Sequence, residues 1–221
     1  MKLSELVYQC VKNVAFNDDT SFSFENFLEG NFDGDADYAT HINNAFIAVN
    51  EAIARLSDLE RIPYRVEECE IEDRIIELSK LDKEVKEVVN VAQAFISGCN
   101  KIPHRPFGIN RVYVTDYNPL SLTYIEYKED IPFFTKSNIK YETNDETFEF
   151  DDNSVDLKTY GITNSMCNYI IEYVMGKLFE PSSVEIANMH LSRAETYFMN
   201  IRPTTSAFVQ KTVTATYRVG E

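Results

Sequence analysis

Two acidic stretches and one thiol have the residue types for chemistry. "DGDAD" sets Asp33, Asp35 and Asp37 at alternate positions, the opening of a calcium-binding loop. The sixth position of such a loop needs Gly and the twelfth a bidentate Glu; here they are Tyr38 and Asn44. The same carboxylates suit the first turn of a helix, where they cap orphan N–H groups and meet the positive end of the dipole. "FDDNSVD" offers Asp151, Asp152 and Asp156 as a metal cluster or an acid pair, but no histidine or second acidic motif stands at useful spacing. An acidic loop is the simpler reading.

Cys99 and His104 have the types of a nucleophile and its base, separated by "NKIP". Neither an oxyanion hole nor an orienting acid is evident beside them. His41, His104 and His190 lie far apart without metal-ligand spacing, as surface or helix-face residues would. The chain has no G-x-S-x-G, no P-loop and no G-x-G-x-x-G. The expectation is a protein that is not an enzyme, with no catalytic residue, cofactor or metal.

The totals narrow the partners. The chain has 221 residues, 44% hydrophobic and 13% aromatic, enough to bury a core. Its net charge of −15 works against gripping nucleic acid, because counterion release needs a basic surface. It also works against an anionic membrane, while an acidic wall would let DNA slide past. Without basic residues interleaved, the 15 Phe and 13 Tyr read as core and protein interface rather than a stacking surface for single strands. Cys10, Cys69, Cys99 and Cys167 are scattered like free thiols in a reducing compartment. Glu5 interrupts the N-terminus before any apolar stretch of a signal peptide, and no apolar run approaches the ~20 residues of a membrane span. These features predict a soluble protein made inside the cell.

The elements that must position these residues follow from periodicity. Leu3, Leu6, Val7, Val11 and Val14 predict a first helix with Ser4 as N-cap, and "SFENFLEG" a short second one capped by Ser23. Ile42, Phe46, Val49, Ile53 and Leu56 predict a long helix, capped by Asp35 or Asp37 and ended by Pro63. From Tyr64 the period changes. Strands are expected at Val66–Ile71, Arg74–Leu78, Val85–Ala94, Arg111–Thr115 and Leu122–Tyr127, with a helical turn at Leu81–Glu84 and a loop over "SGCNKIPHRPFG". Ile139–Thr143 and Thr147–Phe150 predict a hairpin around "NDE". Two helices close the body. The first is capped by Thr163 or Asn164 and the second by Ser182 or Ser183, and their short connection makes them antiparallel neighbours.

This order predicts an α+β fold. A helical bundle, built from the long central helix and a C-terminal helical hairpin, carries an inserted antiparallel β block. Residues 1–203 form one domain, with the β-rich insertion at about 64–156. Residues 204–221 are an extended tail that alternates like a strand without a hairpin mate beside it in sequence. Such a strand pairs far back in the chain or with another molecule.

Several stretches resemble the head–tail connector (adaptor, or head completion) proteins of tailed bacteriophages. They are "VNEAIARLSDLERIP", "IIELSKLDKEVKEVVNVAQ", "IEYKEDIPFFT" and the closing "DLKTYGITNSMCNYIIEYVMGKLFEPSSVEIANMHLSRAETYFMNI". They span about residues 38–201. The resemblance implies a structural virion protein, assembled in the host cytoplasm: a homo-oligomeric ring, commonly a dodecamer, below the portal. It would join capsid to tail and line a DNA channel without sequence-specific binding. Partners would be the portal protein and a tail or second connector protein, with no membrane. A second connector ring, a tail-tubular gatekeeper and a non-ring assembly or binding module are the alternatives. The residues matching portal docking are Ala207, Phe208, Val209, Lys211, Val213, Ala215, Tyr217, Arg218 and Val219, by strand addition to the partner.

Overall fold

The computed structural model describes residues 1–15, 22–29, 36–95, 98–139, 141–143 and 150–208. Helix and antiparallel sheet are both present, an α+β protein. The described residues divide into two compact units: residues 1–62 with 132–203, and residues 63–131 with 204–208.

The first unit is mainly helical. Helix α1 (Leu3–Ala15) buries Leu3, Leu6, Val7, Cys10 and Val11, one stripe at helical spacing. Ser4 is not its cap. It lies inside the helix, fully buried, and its hydroxyl donates to Asp152 at 2.6 Å. The helix begins earlier because Glu5 accepts from the Lys2 N–H at 2.9 Å, satisfying an orphan donor. Helix α2 (Phe24–Glu29) is capped as its sequence predicts, with the Asn26 N–H donating to Ser23 Oγ at 3.1 Å. Helix α3 (Ala36–Asp58) buries the expected stripe of Ile42, Phe46, Val49, Ile53 and Leu56.

The second unit is made of strands. They are β1 (Arg65–Cys69), β2 (Ile75–Glu77), β3 (Val85–Phe95), β4 (Gly98–Lys101), β5 (His104–Pro106), β6 (Arg111–Val114) and β7 (Thr123–Glu129). One antiparallel sheet has the order β1-β7-β3-β4, and a second the order β2-β6-β5. Ile76, Val112 and Val114 of the second sheet share one buried cluster with Val91, Ile125 and Tyr127 of the first. Burying that cluster contributes about 25 cal/mol for each Å² of apolar area removed from water.

Two sequence expectations are corrected here. The stretch expected as a loop after Phe95 contains β4 and β5. Both are short edge strands, and the prolines that suggested a loop are tolerated there because an edge strand need not donate on both sides. The helical turn falls earlier than expected: Leu78–Lys80 forms a 3₁₀ turn directly after β2, which is thereby shortened.

The chain then returns to the first unit. Strands β8 (Tyr141–Thr143) and β9 (Phe150–Asp152) pair antiparallel, Thr143 opposite Phe150; residues 147–149 of the predicted second arm lie outside the described residues, and the strand runs on to Asp152. The intervening "NDE" lies outside the described residues. A 3₁₀ turn at Leu157–Tyr160 ends on Gly161 at φ 73°, a left-handed position that favours glycine. Helix α4 (Asn164–Phe179) is capped by Thr163, whose Oγ1 accepts from the Met166 N–H at 3.4 Å. Helix α5 (Val184–Asn200) is capped by Ser183. Helix α4 packs against α1, α3 and α5. Its Gly176 lets α5 approach closely, since a Cβ there would sit 2.7 Å from Leu191 Cγ and Cδ2.

Candidate functional site at the root of the C-terminal tail

Strand β7 is central in its sheet, pairing with β1 on one side and β3 on the other. Alternation puts Ile125 and Tyr127 toward the apolar cluster. Glu126 must therefore face the other way, and in a half-solvated sheet that face would be wet. Instead Glu126 is fully buried. A buried carboxylate is costly unless donors surround it.

Three donors do. Asn90 Nδ2, from β3, donates to Glu126 Oε2 at 2.7 Å. Ser206 Oγ donates to the same oxygen at 2.6 Å, and the Ala207 backbone N–H to Oε1 at 2.6 Å. Asn90 Nδ2 also reaches Ser206 Oγ at 3.1 Å, which in turn accepts from the Phe208 N–H at 3.1 Å. Phe208 is buried, only 8% exposed. One carboxylate thus binds a hydroxyl and a backbone amide of the segment that begins the tail. All three donors come from the protein's own chain.

A second polar group surrounds Tyr127. Its hydroxyl donates to Glu67, whose other oxygen accepts from the Asp82 N–H at 3.0 Å. Burial first, then the Glu67 hydrogen bond and charge, push the Tyr127 phenol well above its ordinary value, so it stays protonated as a donor. Arg65 Nε donates to the nearly buried Glu129 at 2.7 Å. These contacts fix β1 to β7 in register with the clamp.

The residues singled out in sequence are distributed as follows. Ala207 and Phe208 belong to the root just described; Val209, Lys211, Val213, Ala215, Tyr217, Arg218 and Val219 lie outside the described residues. Asp33 and Asp35 also lie outside them, and Asp37 falls in the first turn of α3. Asp152 and Asp156 tie the N-terminus down. Asp152 accepts from Ser4 and from the Ser154 N–H at 2.9 Å, and Asp156 caps Lys158 and meets the terminal ammonium at 3.5 Å. Burial works to raise the Asp152 carboxyl, but hydrogen bonds from Ser154 and Ser4 and the Lys2 charge overcome it, and its pKa is lowered. The Asp156 carboxyl is lowered by the Lys158 N–H and by the terminal ammonium.

Cys99 sits on β4 and His104 on β5, in different sheets; His104 Nδ1 lies 3.3 Å from the Ile102 carbonyl oxygen. His190 is buried against Glu172 at 2.7 Å and stacks on Phe179. Burial pushes the Cys69 thiol up to about 12 with help from Glu68 and Glu67, and raises Cys10 and Cys167 as well. Those three thiols are poor nucleophiles. Among the described residues no three acidic, His or Cys side chains gather to hold a metal ion, and no helix is long and apolar enough to cross a membrane.

Sequence reasoning missed Glu126, Asn90 and Ser206. The available signal was a carboxylate inside "TYIEY", a run otherwise made of aromatic and β-branched residues. No protein-family profile matches the chain, and no characterised protein is detectably similar to it.

Proposed function

We propose that the chain is a head–tail connector of a tailed phage: a structural protein whose copies form a ring below the portal, with its C-terminal tail as the docking element. In this reading α1, α3, α4 and α5 form the bundle, the strand-rich unit is the insertion, and the tail adds a strand to the portal. The observation that carries it is the root of that tail. Glu126 holds Ser206 and Ala207 at a fixed point, so the alternating sequence that follows them starts from a defined origin. Fixing the origin reduces the entropy lost when the segment pairs with a partner. The net charge of −15 suits a lumen that DNA crosses without sticking.

The test is docking on purified portal rings, followed by mass measurement of the complex. Intact protein should bind as a ring, and a chain ended after Phe208 should keep its fold and lose docking. Docking that survives this truncation sinks the proposal. A non-ring assembly module is the second reading, favoured because residues 206–208 rest on the chain's own strand unit. It requires that the same truncation lower the melting temperature of the isolated protein.

A further inference from the structure

Charge in the strand unit is segregated. From Val88 to Thr115 the chain carries Lys101, Arg105, Arg111 and His104 and no Asp or Glu, in a protein of net charge −15. From Glu67 to Asp73 it carries five acidic residues and no basic one.

The basic stretch ends in a built feature. The β5–β6 turn is closed by the Phe107 N–H donating to the Arg111 carbonyl at 2.9 Å, with Gly108 and Asn110 at positive φ. Ile109 at its tip is 89% exposed and Phe107 44%. Arg105 lies over the Tyr113 ring at 5.1 Å, and Arg111 pairs with Glu77 at 2.9 Å, so both guanidinium groups are held beside the apolar tip. The acidic stretch borders a cleft of about 290 Å³, lined by Glu68, Glu70, Ile71, Glu72, Tyr117 and Leu122 among others. Ile71 and Tyr117 pack on the unit's core, so the cleft has an apolar floor and acidic walls. Tip and cleft lie at opposite ends of β6: the tip precedes Arg111 and the cleft-lining loop follows Val114, about 13 Å apart along the strand.

We infer that the β5–β6 tip of one copy docks in the acidic cleft of a second copy, Ile109 and Phe107 on the apolar floor, Arg105 and Arg111 against Glu68 and Glu70. A plug at one end and a socket at the other make a heterologous contact, which closes into a ring or runs on as a filament. Charge complementarity favours this occupant, since the socket's acidic walls match the Val88–Thr115 stretch of the same chain, which carries Lys101, Arg105 and Arg111 and no acidic residue. Closure into a ring rests on the connector reading; the contact itself does not.

Charge exchange tests it, with mass measured by light scattering at low salt and no portal present. One variant carries Arg105→Glu and Arg111→Glu, the other Glu68→Arg and Glu70→Arg; circular dichroism checks that both fold. Wild type should exceed the monomer mass as concentration rises. Each variant alone should associate about tenfold more weakly or worse, and an equimolar mixture should recover association because each now offers the other's complement. Ile109→Asp, at the exposed tip, should also weaken association. Wild type that stays monomeric, a reversed variant that associates like wild type, or a mixture that stays monomeric overturns the contact. Portal docking that persists in those cases leaves the connector reading standing, whereas self-association without portal docking removes that reading and keeps this one.

Discussion

Replacing Glu126 by Gln tests whether the tail root is held by one carboxylate. The substitution keeps the shape but turns one acceptor oxygen into an NH₂, which must face Asn90, Ser206 or Ala207, all of them donors. Hydrogen bonds to an ionised acceptor contribute about 1.5–3 kcal/mol each, so the two from the tail give roughly 3–6 kcal/mol as an upper bound. Taking the lower figure, opening of the root becomes easier by about 3 kcal/mol, or about 150-fold. The body responds differently. Removing a buried charge relieves a desolvation cost of several kcal/mol while leaving Asn90 poorly satisfied, so global stability should move by no more than about 2 kcal/mol. Native-state hydrogen exchange separates the two effects. The Ala207 and Phe208 amides should exchange about 100-fold faster or more, while amides in β3 and β7 change only with global stability. Unchanged exchange at Ala207, or acceleration equal to that in β7, would refute the clamp.

Asn50 bridges α3 to the returning chain, donating to the Phe46 and Phe134 carbonyls and accepting from the Phe134 N–H, all at 2.8 Å. Asn50→Leu strands both polar groups of a fully buried residue and should cost roughly 2–5 kcal/mol in denaturant unfolding. Gly176→Ala should lower stability by about 0–2 kcal/mol, the overpacking against Leu191 outweighing better helix propensity, and Leu191→Ala in the same chain should recover part of the loss. Asp152 and Asp156 have folded pKa values below the ordinary 3.8. Their contribution is complete above that value and is lost as pH falls through the lowered folded values, so acid titration of unfolding should steepen below about pH 4 and flatten in Asp152→Asn.

Much of the helical unit was legible because each helix signals itself locally. The 4-3-4-3 spacing from Ile42 to Leu56 describes the buried face of α3, and Thr163 and Ser183 cap the closing pair by contacts three residues long. Ser4 misled because its partner, Asp152, is 148 residues away. The strand unit was less legible where geometry depends on position in a sheet. Prolines beside β4 and β5 read as loop, yet edge strands accept them. Glu126 was hidden most completely. Alternation assigns it to a solvent face, and only donors 36 and 80 or more residues away turn that face into a binding point.

The position of β7 also orders events in time. Its paired residues lie 54 to 62 positions upstream in β1 and 30 to 44 in β3, separations whose loop-closure entropy makes such pairing slow relative to helix formation. The residues Glu126 grips, Ser206 and Ala207, follow it by 80 and 81 residues. The clamp therefore closes only after the central strand and the segment 80 residues beyond it have both been made. A chain whose central sheet is mispaired cannot seat Ser206 and Ala207 on Glu126, so the closed clamp is a report on the integrity of the strand unit.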